Sequence, residues 1–369
     1  MKWFDEKKLC WCVVGIVGIT FVGGDSANAE FVFGEPTKVL NVNSAFSDGS
    51  PQISRDGLEL YMSSRRDGGI SKIWISKRAS LIDAWSTPTQ LDAPVNPAAT
   101  QNFPSLSADG LELYFADGEN GTPDPTGYGD SDIWVLERAS KCDPWGAPQN
   151  LGSMINSVHG ESTPCISADG LELYFASNVP DHPQNSEIRV SSRLSKDDPW
   201  GQPVTLNTNV NSNQYEYTPF ISTDGLSLFF SRGYFTSHVH VCTRITTSDP
   251  WGRAFFFTAV NSGNTNDVWG GTGNAEYHAC FSHEDSLVYF TRSSNVLATD
   301  YNIWQVEATP VVDFNNDEAV DILDVYELLE HWETTDNSLY DIAPFPLGDG
   351  IVDGKDLMVL AKHLGEIVE

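Results

Sequence analysis

S-A-D-G-L-E-L-Y-F stands at residues 107–115 and again, letter for letter, at 167–175. Looser copies begin at Ser54 (S-R-D-G-L-E-L-Y-M), Ser222 (S-T-D-G-L-S-L-F-F) and Ser282 (S-H-E-D-S-L-V-Y-F). A phrase that returns every 53 to 60 residues marks a repeat architecture. Each copy follows a short apolar strand. Its x-Asp-Gly reverses the chain as hairpin chemistry requires, and L-E-L-Y-F then alternates as a half-buried second strand. A third strand follows at 73–75, 133–135, 188–190, 239–241 and 303–305, and a fourth begins after Trp85, Trp145, Trp200 and Trp251. Four antiparallel strands per unit, repeated five times, predict a mainly β chain folded as a five-bladed β-propeller over residues 30–308.

The fifth unit has no fourth strand of its own. Phe33-Gly-Glu-Pro-Thr-Lys-Val-Leu40 matches Trp145-Gly-Ala-Pro-Gln-Asn-Leu151, so the N-terminal strand is expected to complete the last blade. Closure of this kind removes open sheet edges.

Pro-x-Ile-Ser-x-Asp-Gly-x-x-Leu-Tyr-Phe-x-Ser followed by Asp-Ile-Trp resembles the TolB-type WD-like propeller repeat, over residues 31–306. That resemblance implies the fold and leaves the function open, since such propellers serve as protein platforms, glycan binders and occasionally enzymes. The recurring Asp56, Asp109, Asp169 and Asp224 read as turn residues rather than a catalytic set. Glu284-Asp285 in the fifth copy predicts an altered turn.

The formal charge of -30 argues against nucleic acid and anionic membranes as partners. Lys2, Lys7 and Lys8, the apolar run 9–22 and Ala27-Asn28-Ala29 predict a signal peptide over 1–29, cut before Glu30. An uncleaved anchor is the rival reading. A secreted protein, extracellular, cell-surface or periplasmic, with no membrane association after cleavage, is the expectation. Four cysteines remain (Cys142, Cys165, Cys242, Cys280), and they read as free buried thiols.

Function is expected where the repeats differ, on the face opposite the x-Asp-Gly turns. Long loops there include 117–131 with Tyr128, 178–186 with His182, Gly233-Tyr234-Phe235, and 261–275 with Trp269. Three residues before the inner-strand proline position stand Asp48, Gln101, Glu161, Glu216 and Glu276. Superposed blades would bring these five toward the channel mouth, as a cation or polyol site or as acids bonded to backbone amides of a neighbouring blade. His159, His278, Tyr215 and Tyr217 lie beside them, a mixture suited to sugar recognition.

Composition changes after residue 308: residues 309–369 hold fifteen acids and two lysines and predict two helices. The loop Asp313-x-Asn315-x-Asp317-x-Ala319-x-Asp321-x-x-Asp324 offers oxygen ligands at the spacing a hard cation requires, with the Ala319 carbonyl among them. It resembles a type I dockerin repeat, which implies bound Ca2+ and a cohesin-like partner. Glu318 replaces the usual turn glycine. The second copy, 345–356, keeps Asp349, Asp353 and Asp356 but has Phe345 and Leu347 at its first two ligand positions, where Asp341 or water would have to substitute.

No G-x-S-x-G, H-E-x-x-H or P-loop occurs. The leading expectation is a non-catalytic binding or scaffold protein that recognises a carbohydrate or protein, within polysaccharide degradation. The alternative is a glycoside hydrolase or lyase using Glu161, Glu216 and Glu276 as channel carboxylates.

Overall fold

The structure, a computed structural model, describes residues 31–92, 99–118, 125–179, 182–233, 237–257, 259–260, 275–282, 286–293, 301–310, 312, 314, 319–334, 340, 342 and 351–364. Five antiparallel sheets form the five blades, as expected, four of them with four strands and blade five with a fifth strand added. Inner strands are Asp48–Ile53, Asn102–Leu106, Glu161–Ile166, Glu216–Ile221 and Ala275–Phe281. In blades one to four each passes through the x-Asp-Gly hairpin into a second strand and then a third, and in blade five Ala275–Phe281 pairs with Leu287–Ser293, which pairs with Tyr301–Pro310.

The hairpin explains the repeated phrase. In blade three the Ser167 hydroxyl donates to Asp169 Oδ1 at 2.6 Å and accepts from Glu172 N at 2.8 Å. Asp169 Oδ1 also accepts from Leu171 N at 2.9 Å, and Gly170 takes φ +75°, where a Cβ carries strain. The same set recurs around Asp56, Asp109 and Asp224. In blade five Ser286, one residue past the glycine register, takes φ +50°; Glu284 and Asp285 lie outside the described residues.

The second strand is buried on both faces and not half-buried as its alternation predicted, because each blade is packed between two others: Leu173 and Phe175 enter one core cluster and Tyr174 another, and their counterparts elsewhere are equally buried. Each such side chain contributes about 1.5–3 kcal/mol. Arginines at the end of the third strand lie over the blade tryptophans and reach the preceding blade: Arg138 to Glu59, Arg193 to Glu112 and Arg244 to Glu172, at 3.8, 3.0 and 3.6 Å.

Closure runs as expected and further. Thr37–Lys38 pairs with Gln305 and Trp304 as the fourth strand of blade five, and Phe31–Phe33 pairs with the same third strand at Ala308–Pro310. Ala308 also enters a core cluster with Phe314, Leu328 and Leu360, so this strand carries the C-terminal helices α1 (Ile322–Glu330) and α2 (Gly354–His363). Cys165, Cys242 and Cys280 are buried and free; Cys142 is free but exposed, a correction, because it sits in the polar turn after the third strand. Among the described residues no helix is long and apolar enough to cross a membrane.

Candidate functional site

Every inner strand enters the ring in one register. Asp48 faces Ser64, Glu161 faces Ser177, Glu216 faces Arg232 and Glu276 faces Arg292 across the first hairpin; the Asn102–Ala116 pair places Gln101 in the same row. Two residues on, each strand bulges at a left-handed residue that is not glycine: Ser50, Phe103, Thr163, Thr218 and His278, with φ between 48° and 57°. Proline follows in four blades, where it removes an N–H that the broken ladder would leave unpaired. Three bulge residues donate their N–H to a hydroxyl of the preceding blade: Ser50 to Thr291, Phe103 to Ser63 and Thr218 to Thr163.

All five residues of the predicted row are buried. Asp48 accepts from Ser44 N and Ser64 Oγ at 2.5 Å and from Arg66 at 2.8 Å. Glu216 accepts from Ser212 N at 3.1 Å, from the Ser212 hydroxyl, and from Arg232 Nε at 2.9 Å. Glu276 lies 3.2 Å from Arg292 Nε and 3.4 Å from His238 Nδ1. Glu161 accepts from Ser157 N, Ser157 Oγ and Ser177 Oγ at 2.6, 2.8 and 2.9 Å. Among the described residues no basic side chain pairs with it.

Asp48, Glu161 and Glu216 are thus satisfied by the connection entering their own blade and by their own second strand, whereas Glu276 meets its own second strand through Arg292 and the preceding blade through His238. Burial pushes the carboxyls of Glu161 and Glu216 above the usual range against these bonds, Asp132 adding to the rise at Glu161 and Arg232 opposing it at Glu216.

The axis is narrow. Phe103 and His278 stack at 4.9 Å with an 11° tilt, and with Thr163, Thr218 and the bulge prolines they line a cavity with room for about one or two waters. Burial pushes the His278 imidazole down to about 3, and its Nε2 has no hydrogen-bond partner. A neutral ring there is the state that burial favours.

Between the acid and the bulge stand Gly49, Asn102, Ser162, Tyr217 and Tyr277; Asn102 is buried and the other four are partly exposed. The two tyrosines are half-exposed and lie 5.9 Å apart. Tyr215 sits 5.4 Å from Tyr217, and Tyr301 sits 5.7 Å from Tyr277. Four partly buried phenol rings therefore cluster at the mouth of blades four and five, edge to face or tilted to one another at 71°, 49° and 76°. Sequence reasoning named Tyr215 and Tyr217 and missed Tyr277 and Tyr301. Tyr277 was legible as the position after the row acid; Tyr301 becomes a neighbour only through the blade-five hairpin. His159 is placed on the connection into blade three, its N–H on Ser157 Oγ. Trp269 lies outside the described residues, as do Tyr234, Phe235 and most of the 261–275 loop.

In the C-terminal segment Asp321 and Asp353 cap the two helices, each accepting from a backbone N–H two residues on at 2.7 Å. Asp324 Oδ1 accepts from Phe314 N and its Oδ2 from Asp321 N; Asp356 repeats this with Ile342 N and Asp353 N, all at 2.7 Å. Both carboxylates are fully buried, with a backbone donor on each oxygen. The residue before Phe314 is Asp313 and the residue before Ile342 is Asp341, so the chain places Asp341 where the first loop has Asp313. Asp313, Asn315, Asp317, Asp341 and Asp349 lie outside the described residues. Among the described residues no group of three potential ligands comes together.

No family model matches the chain, and no curated protein does. Solved structures share its fold. A thermostable family-43 glycoside hydrolase superposes with a TM-score of 0.50 at 16% identity, over 74% of this chain and 92% of that one. An endo-arabinanase from Bacillus licheniformis gives 0.46 at 16%, over 72% and 95%. TolB from Acinetobacter baumannii gives 0.43 at 13%, over 76% of this chain; the chain spans 61% of that protein's length. At these identities the likeness is one of fold alone.

Proposed function

We propose that the protein is a carbohydrate-active propeller whose mouth, at blades four and five, takes up a glycan. The row Tyr215, Tyr217, Tyr277 and Tyr301 carries this reading. Phenol faces stack on the C–H faces of sugars, and the hydroxyl edge offers polar contacts that orient them. A polysaccharide array probed with the full chain and with Tyr217→Ala tests it: bound spots that fade in the variant are expected, and a blank or unchanged array refutes it.

Hydrolysis is the second reading, and the fold admits it at least as readily as binding alone, since the solved proteins of like fold include glycoside hydrolases. Glu161 favours it within this chain. A general acid needs a carboxyl held above its usual range, and Glu161 is raised without an arginine to hold it ionised. A partner carboxyl roughly 5 to 9.5 Å away would complete the pair. Release of reducing ends from a polysaccharide, lost in Glu161→Gln, would establish catalysis; none from any bound polysaccharide would leave binding as the function.

Export directed by residues 1–29 and a C-terminal module, residues 309–369, that binds Ca2+ through the Asp313 loop and docks to a cohesin-like partner belong to the same proposal. The helix-capping carboxylates support the calcium part. Calorimetric titration of the full chain with Ca2+ should show a site that Asp313→Ala removes.

A further inference from the structure

We infer that the C-terminal helices are the clasp of blade five. They stand in for the arginine that each other blade lays over its tryptophan, so helices and ring open as one unit, and a ligand of the helices steadies the ring. Ring and helices are coupled whether or not a sugar binds; only the effect of Ca2+ rests on the calcium reading of residues 309–369.

Backbone register shows what has been replaced. In blades one to four the arginine after the third strand donates its N–H to the residue before the second strand, as Arg138 does to the Leu111 carbonyl at 3.0 Å. Its guanidinium lies 4.3 to 4.5 Å over Trp85, Trp145, Trp200 or Trp251. The residue after that tryptophan donates back to the end of the third strand, as Gly146 N does to the Glu137 carbonyl at 2.8 Å. Blade five repeats both bonds with other side chains: Ala308 N donates to the Ser286 carbonyl and Gly34 N to the Glu307 carbonyl, each at 2.9 Å. Ala308 therefore holds the arginine position and Phe33 the tryptophan position.

The preceding blade has changed to match. Arg138, Arg193 and Arg244 meet Glu59, Glu112 and Glu172 of the blade before, but the same place in blade four is Ser227, so no acid waits for an arginine that blade five lacks. The helices fill the gap. Ala308 is fully buried in one cluster with Val312, Phe314, Leu328 and Leu360. Phe33 packs against that cluster and also against the core of blades four and five, its ring edge-on to Phe257 at 5.7 Å. A guanidinium at residue 308 would lie among apolar side chains without water or counter-charge, so the arginine clasp and the helix packing exclude each other.

One strand joins the two parts. Tyr301–Pro310 has ten residues, against five or six in the third strands of blades one, two and four, and its last three pair with Phe31–Phe33. Val312, two residues beyond it, already lies in the helix core, so no linker intervenes. Release of the helices would expose Ala308 and one side of Phe33, and would loosen the strand pair that closes the ring. Whatever binds the seated helices then stabilises the closed ring as well, and a partner on the helices grips the ring directly instead of through a tether.

Amide hydrogen exchange of the full chain, read by mass spectrometry, tests the clasp. In the unaltered protein the best-protected amides of 322–330 and of 301–310 should have protection factors within about threefold of each other. Leu328→Ala, which empties a fully buried position of α1, should lower both about a hundredfold. Phe33→Trp/Ala308→Arg restores the pair found in the other blades and should unseat the helices, with protection lost over 322–330 and 354–363. Helices far less protected than 301–310 in the unaltered protein, an effect of Leu328→Ala on the helices alone, or helices still protected in the double variant overturns the clasp. Millimolar Ca2+ should slow exchange in 322–330 and 301–310 alike. Slowing of the helices alone overturns the coupling, and slowing of neither overturns the calcium reading while the comparison in the unaltered protein still decides the clasp.

Discussion

On the turn face, blades one to four build one hydrogen-bond set from Ser, Asp and Gly, four times over. On the mouth face, the position after the row acid reads Gly49, Asn102, Ser162, Tyr217, Tyr277. The turn-face residues find their partners within five residues of chain, so each blade must supply the same side chains. Mouth residues project from a bulge whose geometry is held by backbone and by neighbouring hydroxyls, so the side chain itself is released from structural duty. Between the two lies the row of buried acids, repeated in place but not in partner: arginine serves Asp48, Glu216 and Glu276, while Glu161 has serine donors alone.

The largest expected effect separates those acids. Glu216→Gln leaves Arg232, 16% exposed, without its counter-charge and should cost about 3 kcal/mol in urea unfolding at pH 7. Glu161→Gln should cost less than about 1 kcal/mol, because no cation depends on it and Gln101 already fills that place in blade two. Equal losses would break the distinction. On the turn face, Glu112→Ala strands Arg193, which it holds at 3.0 and 3.1 Å, and should cost about 2 kcal/mol. Arg78→Ala removes the bonds to the Gly57 and Leu81 carbonyls, in the one blade junction where Leu287 takes the glutamate's place, and should cost about 1 kcal/mol. Gly170→Ala forces a side chain to φ +75° against Lys196 and should cost about 1 kcal/mol by the same measurement.

The smallest effects are in pH. Burial pushes Asp56 and Asp109 up, but bonds from Ser54 and Lys141 at the first and Lys196 and Ser107 at the second bring both down to about 2. Their folded pKa is depressed below 3.8, so their contribution is present above about pH 4 and is lost as pH falls toward 2. Both are well exposed, at 43% and 40%, which limits each to under about 1 kcal/mol. Glu161 is raised, so its sign is opposite: stability increases as pH falls through its elevated folded value toward 4.5. Melting temperature followed from pH 7 to 2 should flatten below pH 4 in the Asp56→Asn/Asp109→Asn double variant, and lose its gain on acidification in Glu161→Gln.

Blade count, turn role and ring closure were legible because each is local or periodic. Ser54-x-Asp56-Gly57 predicts its own hairpin, and the match of 33–40 to 145–151 identifies the missing strand without coordinates. The row Asp48, Gln101, Glu161, Glu216, Glu276 was legible as a register but not as a site. Whether such carboxylates face a channel or their own blade depends on a bulge two residues later and on serines and arginines brought in by other strands. Phe103 against His278 illustrates the limit: residues 175 positions apart in the chain meet only because two bulges face one axis.

The sequence by itself determined a five-bladed ring, its N-terminal closing strand and the register of its acidic row, because repetition and short-range turn chemistry write those in consecutive residues. Tertiary structure alone decided that the row is buried, that the axis is filled, and that four tyrosines from three separate strands and a connection pack against one another at the mouth. Side-chain direction at a bulge and contact between blades follow from ring closure, and no single repeat encodes them.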